Sequence, residues 1–175
     1  MDVLSDCSVG PARRGQSAAV RGCGVGSRKS PFSRRRASAS PVAALTGGRN
    51  GHGRPADGLL ALDLRQPEEL GGDGAGANPE QLFAIGYAAC FGTTLALVGQ
   101  HGGLTADDAK IDASVSLVPN DGGGYALSVE LHVSLPSVPT DRAAELVRTA
   151  HRICPYSNAT RGNIDVALSV DGTWI

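Results

Sequence analysis

Cys90 and Cys154 are the two residues of the domain whose chemistry could amount to more than packing. A thiolate is a strong nucleophile, but a free thiol of pKa ~8.5 is only a few per cent ionised at neutral pH, so each cysteine is judged by what its surroundings do to the anion. Cys90 falls near the middle of 78–101, which reads as one long helix. Asn78 suits the N-cap, Pro79 the first helical position, Gln81 completes a capping-box spacing, and Gly102-Gly103 ends it. The helix dipole gives little help in mid-helix, so Cys90 needs an external cation, and Arg49 on its glycine turn or Arg161 after Cys154 could supply it. Cys154 closes a second helix that starts at Thr140, because Pro155 disfavours helical geometry at the residue before it. Carbonyl ends are expected there, and they disfavour a thiolate.

Three chemistries fit these residues. Both thiols lie on apolar helix stripes, so each could be core. They form a dithiol pair if the fold brings their Cα atoms within ~7 Å. His151 and Cys154, three residues apart, could be two ligands of a metal with Cys90 as a third, although one such pair is a weak zinc pattern. The glycine run 71–76 before the long helix invites a phosphate-binding reading. No Gly-Lys-Ser/Thr follows it, so it reads as a connection. Asn158-Ala-Thr160 matches a glycosylation sequon, but no secretory signal gives it meaning.

The positioning elements follow from periodicity. Leu82, Gly86, Ala89, Cys90, Thr93 and Leu97 form a helical stripe, and Tyr87, Phe91 and Leu95 occupy other sides, so the helix is expected to be wrapped on most faces. Short strands are expected at 42–46 and 59–64, with Asn50-Gly51 at hairpin-turn spacing between them. Ile111, Ala113, Val115 and Leu117 alternate with polar residues, as do Tyr125, Leu127, Val129, Leu131, Val133 and Leu135 around the turn 120–124. That is an antiparallel hairpin with one wet face, which carries His132 as a surface histidine. Ala143, Leu146, Val147, Ala150 and Cys154 line the second helix, 155–163 reads as a loop, and 164–170 is a closing strand. The fold class is α+β, with antiparallel sheets around a long central helix.

The chain of 175 residues carries a formal charge of −1, which hides an asymmetry. Residues 1–40 hold eight Lys/Arg and two Asp, whereas 41–175 hold eight Lys/Arg and fifteen Asp/Glu. The acidic domain, 41–175, argues against nucleic acid as its partner. No apolar run approaches the ~18 residues of a membrane span. Residues 1–40 are Arg- and Ser-rich without apolar periodicity and are expected to be a disordered basic extension. They read as a transit leader, as a tail for anionic surfaces, or as upstream sequence translated from a start placed too early. Cys7 and Cys23 lie in this extension.

Four segments carry a resemblance: Gly47-Gly-Arg-Asn-Gly51; Glu69-Leu-Gly-Gly-Asp-Gly74; Asn78-Pro-Glu-Gln-Leu-Phe with Gly86-Tyr-Ala-Ala-Cys-Phe91; and Cys154-Pro-Tyr-Ser-Asn-Ala-Thr-Arg-Gly-Asn163. Together they resemble the organic hydroperoxide resistance proteins (Ohr) of the OsmC/Ohr superfamily, over roughly residues 45–170. The resemblance implies an OsmC/Ohr-like intertwined homodimer and a cytoplasmic thiol peroxidase that reduces alkyl and fatty-acid hydroperoxides without metal or cofactor. It implies Cys90 as the peroxidatic cysteine, Cys154 as the resolving cysteine, Arg49 as the arginine supporting the thiolate and Glu80 as its partner. An external dithiol, carried on a lipoylated protein, would reduce the Cys90–Cys154 disulfide. Phe83, Ile85, Tyr87 and Phe91 could line a substrate pocket, and Cys7 and Cys23 have no counterpart in the pattern. Glu80 and Cys90 are ten residues apart, about 15 Å along a helix and on different faces. The expectation is therefore that Glu80 serves Cys90 of the partner. A non-catalytic redox sensor or binding domain that uses the same disulfide as a switch is the alternative reading.

Overall fold

The computed structural model describes residues 43–175, so the expectations for residues 1–40 lie outside the described residues. A small sheet comes first, built from β1 (Ala43–Thr46), β2 (His52–Pro55) and β3 (Leu62–Asp63), all antiparallel. Helix α1 (Pro79–His101) follows, then β4 (Lys110–Pro119), β5 (Tyr125–Ser134), α2 (Thr140–Ile153), α3 (Pro155–Thr160), β6 (Asp165–Val170) and β7 (Thr173–Trp174). The last four strands form a second sheet in the order β4-β5-β6-β7. The described chain is thus α+β, with sheets flanking one long helix.

Helix α1 starts where its capping residues place it. The Asn78 side chain accepts from the Gln81 N–H at 2.8 Å, and the Gln81 side chain accepts from the Asn78 N–H at 3.0 Å, which satisfies two otherwise orphaned donors. Tyr87, Phe91 and Leu95 point into the core and are completely buried. There they join Val129, Leu131 and Val133 of β5 and Leu146, Val147 and Ala150 of α2. Register keeps the apolar positions of the hairpin on one face: Ile111 lies opposite Val133, Ala113 opposite Leu131, and Val115 opposite Val129. Helix and sheet approach closely at Gly92, where a Cβ would stand 3.0 Å from the Ile111 Cδ1.

The stripe through Cys90 is not the core face. Leu82, Ile85, Ala89, Thr93 and Leu97 are exposed, Ile85 by 68% and Leu97 by 50%. The expected wrapping is therefore one-sided within the protomer. Helix α1 also has the length and mean hydropathy, 1.8, to cross a membrane by composition, because Gly, Ala and Thr interrupt its apolar residues without adding charge.

The remaining departures have local causes. Strand β2 (His-Gly-Arg-Pro) has no apolar alternation, and it pairs because the glycine turn folds it back onto β1. Of 59–64 only Leu62–Asp63 pairs as a strand, and Leu59 and Leu60 stay exposed. The β1–β2 turn is longer than an Asn-Gly hairpin: Gly47 and Gly48 take positive φ and a 3-10 turn spans Gly48–Asn50. A Cβ on Gly51 would lie 1.6 Å from the Thr46 carbonyl oxygen, so only glycine closes this turn. Helix α2 starts at Thr140 with Pro139 at its N-cap, and 155–160 is a helix rather than a loop. The β5–β6 pair is parallel because two helices separate its strands and carry the chain back across the sheet, so this sheet is mixed.

Replacing Asn78 by Ala removes the acceptor for the Gln81 N–H and should lower unfolding stability by about 1 kcal/mol, read from the urea midpoint at unchanged slope.

Candidate active site

One long helix and one helix corner bring the thiols together. Cys90 projects from the middle of α1. Cys154 is the corner between α2 and α3: its N–H donates to the Ala150 carbonyl at 2.8 Å as α2 ends, and its own carbonyl accepts from the Asn158 N–H at 2.9 Å as α3 begins. Pro155 enforces the corner, since it breaks α2 yet suits the first position of α3. The two sulfurs lie 3.7 Å apart as free thiols, with Cys90 half-buried and Cys154 completely buried. A disulfide of ~2.05 Å is a short movement from this contact.

Around the thiols, Phe83, Tyr87 and Tyr156 form an aromatic cluster with ring centroids 5.6–6.0 Å apart. The Tyr87 hydroxyl donates to the Ser157 hydroxyl at 2.9 Å and lies 3.4 Å from that of Thr160, which ties α3 to α1 through buried polar groups.

The two sulfurs differ electrostatically. Burial pushes the Cys90 thiol up, a hydrogen bond from the Tyr156 N–H opposes it, and the thiol remains above its ordinary value. Burial also pushes Cys154 up. There, hydrogen bonds from the Ser157 N–H and hydroxyl, from Cys90 and from the Tyr156 N–H outweigh burial, so Cys154 falls below its ordinary value. This reverses the expectation that α2 carbonyls would disfavour the Cys154 anion: α3 presents N–H groups to the same sulfur.

The expected cations are not beside Cys90 in the protomer. Arg161 donates to the Asn158 side chain and to the His151 carbonyl, both at 2.8 Å, and so caps the end of α2. Arg49, at the tip of the β1–β2 turn, makes a two-pronged contact with Glu80, at 2.9 and 2.7 Å. The hydrogen bond to Glu80 raises the Arg49 pKa, and the reciprocal bond holds the Glu80 carboxyl below its usual range. Glu80 stands in the first turn of α1, about 15 Å of helix from Cys90. One protomer thus holds two separate groups, a thiol pair and an Arg–Glu pair.

An apolar groove of about 350 Å³ lies between the small sheet and the start of α1, lined in part by Ala43, Leu45, Leu60, Leu62, Pro79 and Leu82. The residues expected to line a pocket divide differently: Tyr87 and Phe91 are core, Phe83 is half-buried and Ile85 is exposed. In the sequence Pro79 and Leu82 read as helix positions and Ala43, Leu45, Leu60 and Leu62 as strand positions, none of them as pocket lining. Among the described residues no group of three or more His, Cys, Asp or Glu side chains could hold a metal. Burial, and then the Arg161 charge, lower the His151 pKa, and its buried Nδ1 has no hydrogen-bond partner.

Two thiols in contact on an α+β scaffold, one of them completely buried, are the arrangement of a thiol-redox protein. A family model described as OsmC-like protein matches residues 71–169. The organic hydroperoxide resistance protein of Xanthomonas axonopodis pv. citri is 46% identical over 132 residues, covering 73% of this chain and 91% of that protein. The organic hydroperoxide resistance protein OhrB of Bacillus subtilis is 44% identical, covering 71% and 91%. Among solved structures, a putative organic hydroperoxide resistance protein from Vibrio cholerae, with captopril bound in one of its active sites, aligns with a TM-score of 0.75 at 44% identity over 79% of this chain and 95% of that one. The chain belongs to the OsmC-like family, and within it to the organic hydroperoxide resistance (Ohr) group.

The Arg49–Glu80 pair links stability to pH. The folded Glu80 pKa is depressed, so its contribution is full above the unfolded value of ~4.3 and is lost as pH falls through the folded pKa. Glu80→Gln should therefore be less stable than the parent at pH 7, and the difference should vanish on acidification below pH ~4 in urea unfolding.

Proposed function

We propose that the chain is a cysteine-based organic hydroperoxide reductase that works as a homodimer in the cytoplasm. The observation that carries the reading is the 3.7 Å approach of Cys90 and Cys154 in a chain of the organic hydroperoxide resistance group. The Cys90 thiolate attacks the terminal oxygen of ROOH. The O–O bond breaks, Cys90 becomes a sulfenic acid, and RO⁻ leaves to take up a proton. Cys154 thiolate then attacks the Cys90 sulfur and expels hydroxide, giving the disulfide. An external dithiol, on a lipoylated protein, reduces it by exchange and is itself oxidised to a disulfide. No cofactor takes part.

The raised pKa of Cys90 in an isolated protomer requires a cation, and this is where the dimer enters. Arg49 of one protomer, held by its own Glu80, would approach Cys90 of the other, favour its thiolate and stabilise the departing alkoxide. Three features support intertwining. The small-sheet region, 43–64, contributes only Leu64 to the buried residues. The α1 stripe at Leu82, Ile85, Ala89 and Leu97 is uncovered. The apolar groove adjoins the Arg49–Glu80 pair, at the end of α1 remote from Cys90. An apolar approach favours alkyl and fatty-acid hydroperoxides over hydrogen peroxide. Captopril in an active site of the Vibrio cholerae relative agrees with a site that admits an organic molecule.

Two measurements test this. With an alkyl hydroperoxide and dihydrolipoamide, the parent should turn over many times. Cys90→Ser should be inactive, and Cys154→Ser should consume one equivalent and stop at the sulfenic acid. A parent that consumed only one equivalent would be a switch rather than an enzyme. The shared site is tested by mixed dimers of Cys90→Ser and Arg49→Ala subunits. If Arg49 acts across the interface, the mixed dimer recovers one working site. If it acts within its own chain, the mixture stays as inactive as either variant.

A further inference from the structure

The relation between the two sulfurs is asymmetric in a way the reaction above does not use. Cys90 is half-buried, whereas Cys154 is completely buried, and so is Ser157 beside it. Ser157 accepts a hydrogen bond from the Tyr87 hydroxyl at 2.9 Å, which leaves its own proton free for the Cys154 sulfur. Thiol–disulfide exchange is an in-line displacement, so the nucleophile must reach one sulfur from the side opposite the other, and the better-stabilised thiolate leaves faster. Cys154 is completely buried, as are Tyr87, Ser157 and Thr160 nearby, so a nucleophile would have to displace packed protein to reach its sulfur. Cys90 is the sulfur with solvent access.

We propose that the reductant enters the disulfide at Cys90 and expels Cys154 as the thiolate, with the buried Tyr87–Ser157 relay as the positioning device that receives the leaving sulfur. The inference rests on the reading of Cys90 and Cys154 as a redox pair. In the first step RS⁻ bonds to the Cys90 sulfur, the Cys90–Cys154 bond breaks, and its electron pair goes to Cys154. In the second step the other thiol of the dithiol, as thiolate, attacks the sulfur of R, releases Cys90 as thiolate and leaves the reductant as a cyclic disulfide. Two electrons pass from the dithiol to the protein, and its two protons end on the cysteines or in solvent. The same Ser157 contacts that hold Cys154 below the ordinary thiol range stabilise the departing anion. Cys154 is thus a nucleophile when the disulfide forms and the leaving group when it opens. Cys90 carries the adduct in both halves of the cycle.

The test uses the full chain oxidised with diamide, so it does not depend on peroxide chemistry. The disulfide is exposed briefly to 2-mercaptoethanol, quenched in acid, unfolded and alkylated with N-ethylmaleimide before peptide mass analysis. The expected result is the mercaptoethanol adduct on Cys90 and the maleimide on Cys154. The reverse pattern, or an even split, overturns the proposal. Failure of diamide to form the Cys90–Cys154 disulfide overturns this inference and the redox reading together. A disulfide that opens at Cys90 in a protein that does not consume peroxide upholds this inference and removes only the peroxidase reading.

The relay is read separately, in a Cys90→Ser background, from the thiolate ultraviolet absorbance of Cys154. Ser157→Ala should move the Cys154 titration midpoint upward, and Tyr87→Phe, which keeps the ring, should move it upward by less. In the two-cysteine protein both should slow disulfide opening by 2-mercaptoethanol severalfold, in the same order. Unchanged midpoints in the folded variants remove the relay. If Ser157→Ala does not fold, Tyr87→Phe decides alone.

Discussion

The rigidity of α1 is the constraint on which the rest depends. A helix of 23 residues fixes its passengers on a rod, and ten residues of it set Glu80 and Cys90 about 15 Å apart. No loop movement short of breaking the helix joins them. The well-formed Arg49–Glu80 pair therefore lies at one end of the rod while the thiols meet near its middle. The capping box fixes where this rod begins, and the buried Tyr87–Phe91–Leu95 face and the close approach at Gly92 seat it against β4 and β5.

The other organising feature is the corner at Pro155. A single residue ends one helix and begins the next, so one sulfur meets the last carbonyls of α2 and the first amides of α3 together. The amides and the Ser157 hydroxyl prevail at Cys154. Arg161 folds back over the same corner and ties its carbonyls. The sequence Cys-Pro-Tyr-Ser-Asn-Ala-Thr-Arg-Gly can thus be read as one structural unit: proline for the turn, serine for the sulfur, threonine for the tyrosine hydroxyl, arginine for the helix end.

What was legible in the chain was whatever local rules decide. The start of α1 followed from Asn78, Pro79 and Gln81, and the β4–β5 hairpin from strict alternation. The four residues of the resemblance were singled out as a set, and the structure groups them in two pairs, Cys90 with Cys154 and Arg49 with Glu80. The misreadings fell where tertiary context rules. Strand β2 has the wrong composition and exists because a glycine turn delivers it to β1. The helix after Pro155 is six residues long, too short for periodicity to register. The parallel β5–β6 pairing depends on the return path of α2 and α3, which no strand pattern records. The open side of α1 was hidden for a different reason: apolar residues on all sides of a helix do not say which neighbours belong to the same chain.

The small sheet has a further consequence. It joins the body of its own protomer through the Leu64–Ala77 bridge, backbone hydrogen bonds at Arg65 and Ala77, and the Arg49–Glu80 pair, while its apolar side chains at Leu45, Leu59 and Leu60 lie open. Segments with few buried apolar contacts open at low free energy, independently of the core. Within a single protomer the small sheet is therefore the part held least by apolar packing, and the helix-and-sheet kernel the part held most. Arg49 sits on the turn of that small sheet, so its paired contact with Glu80 is also one of the few ties that hold the sheet to α1.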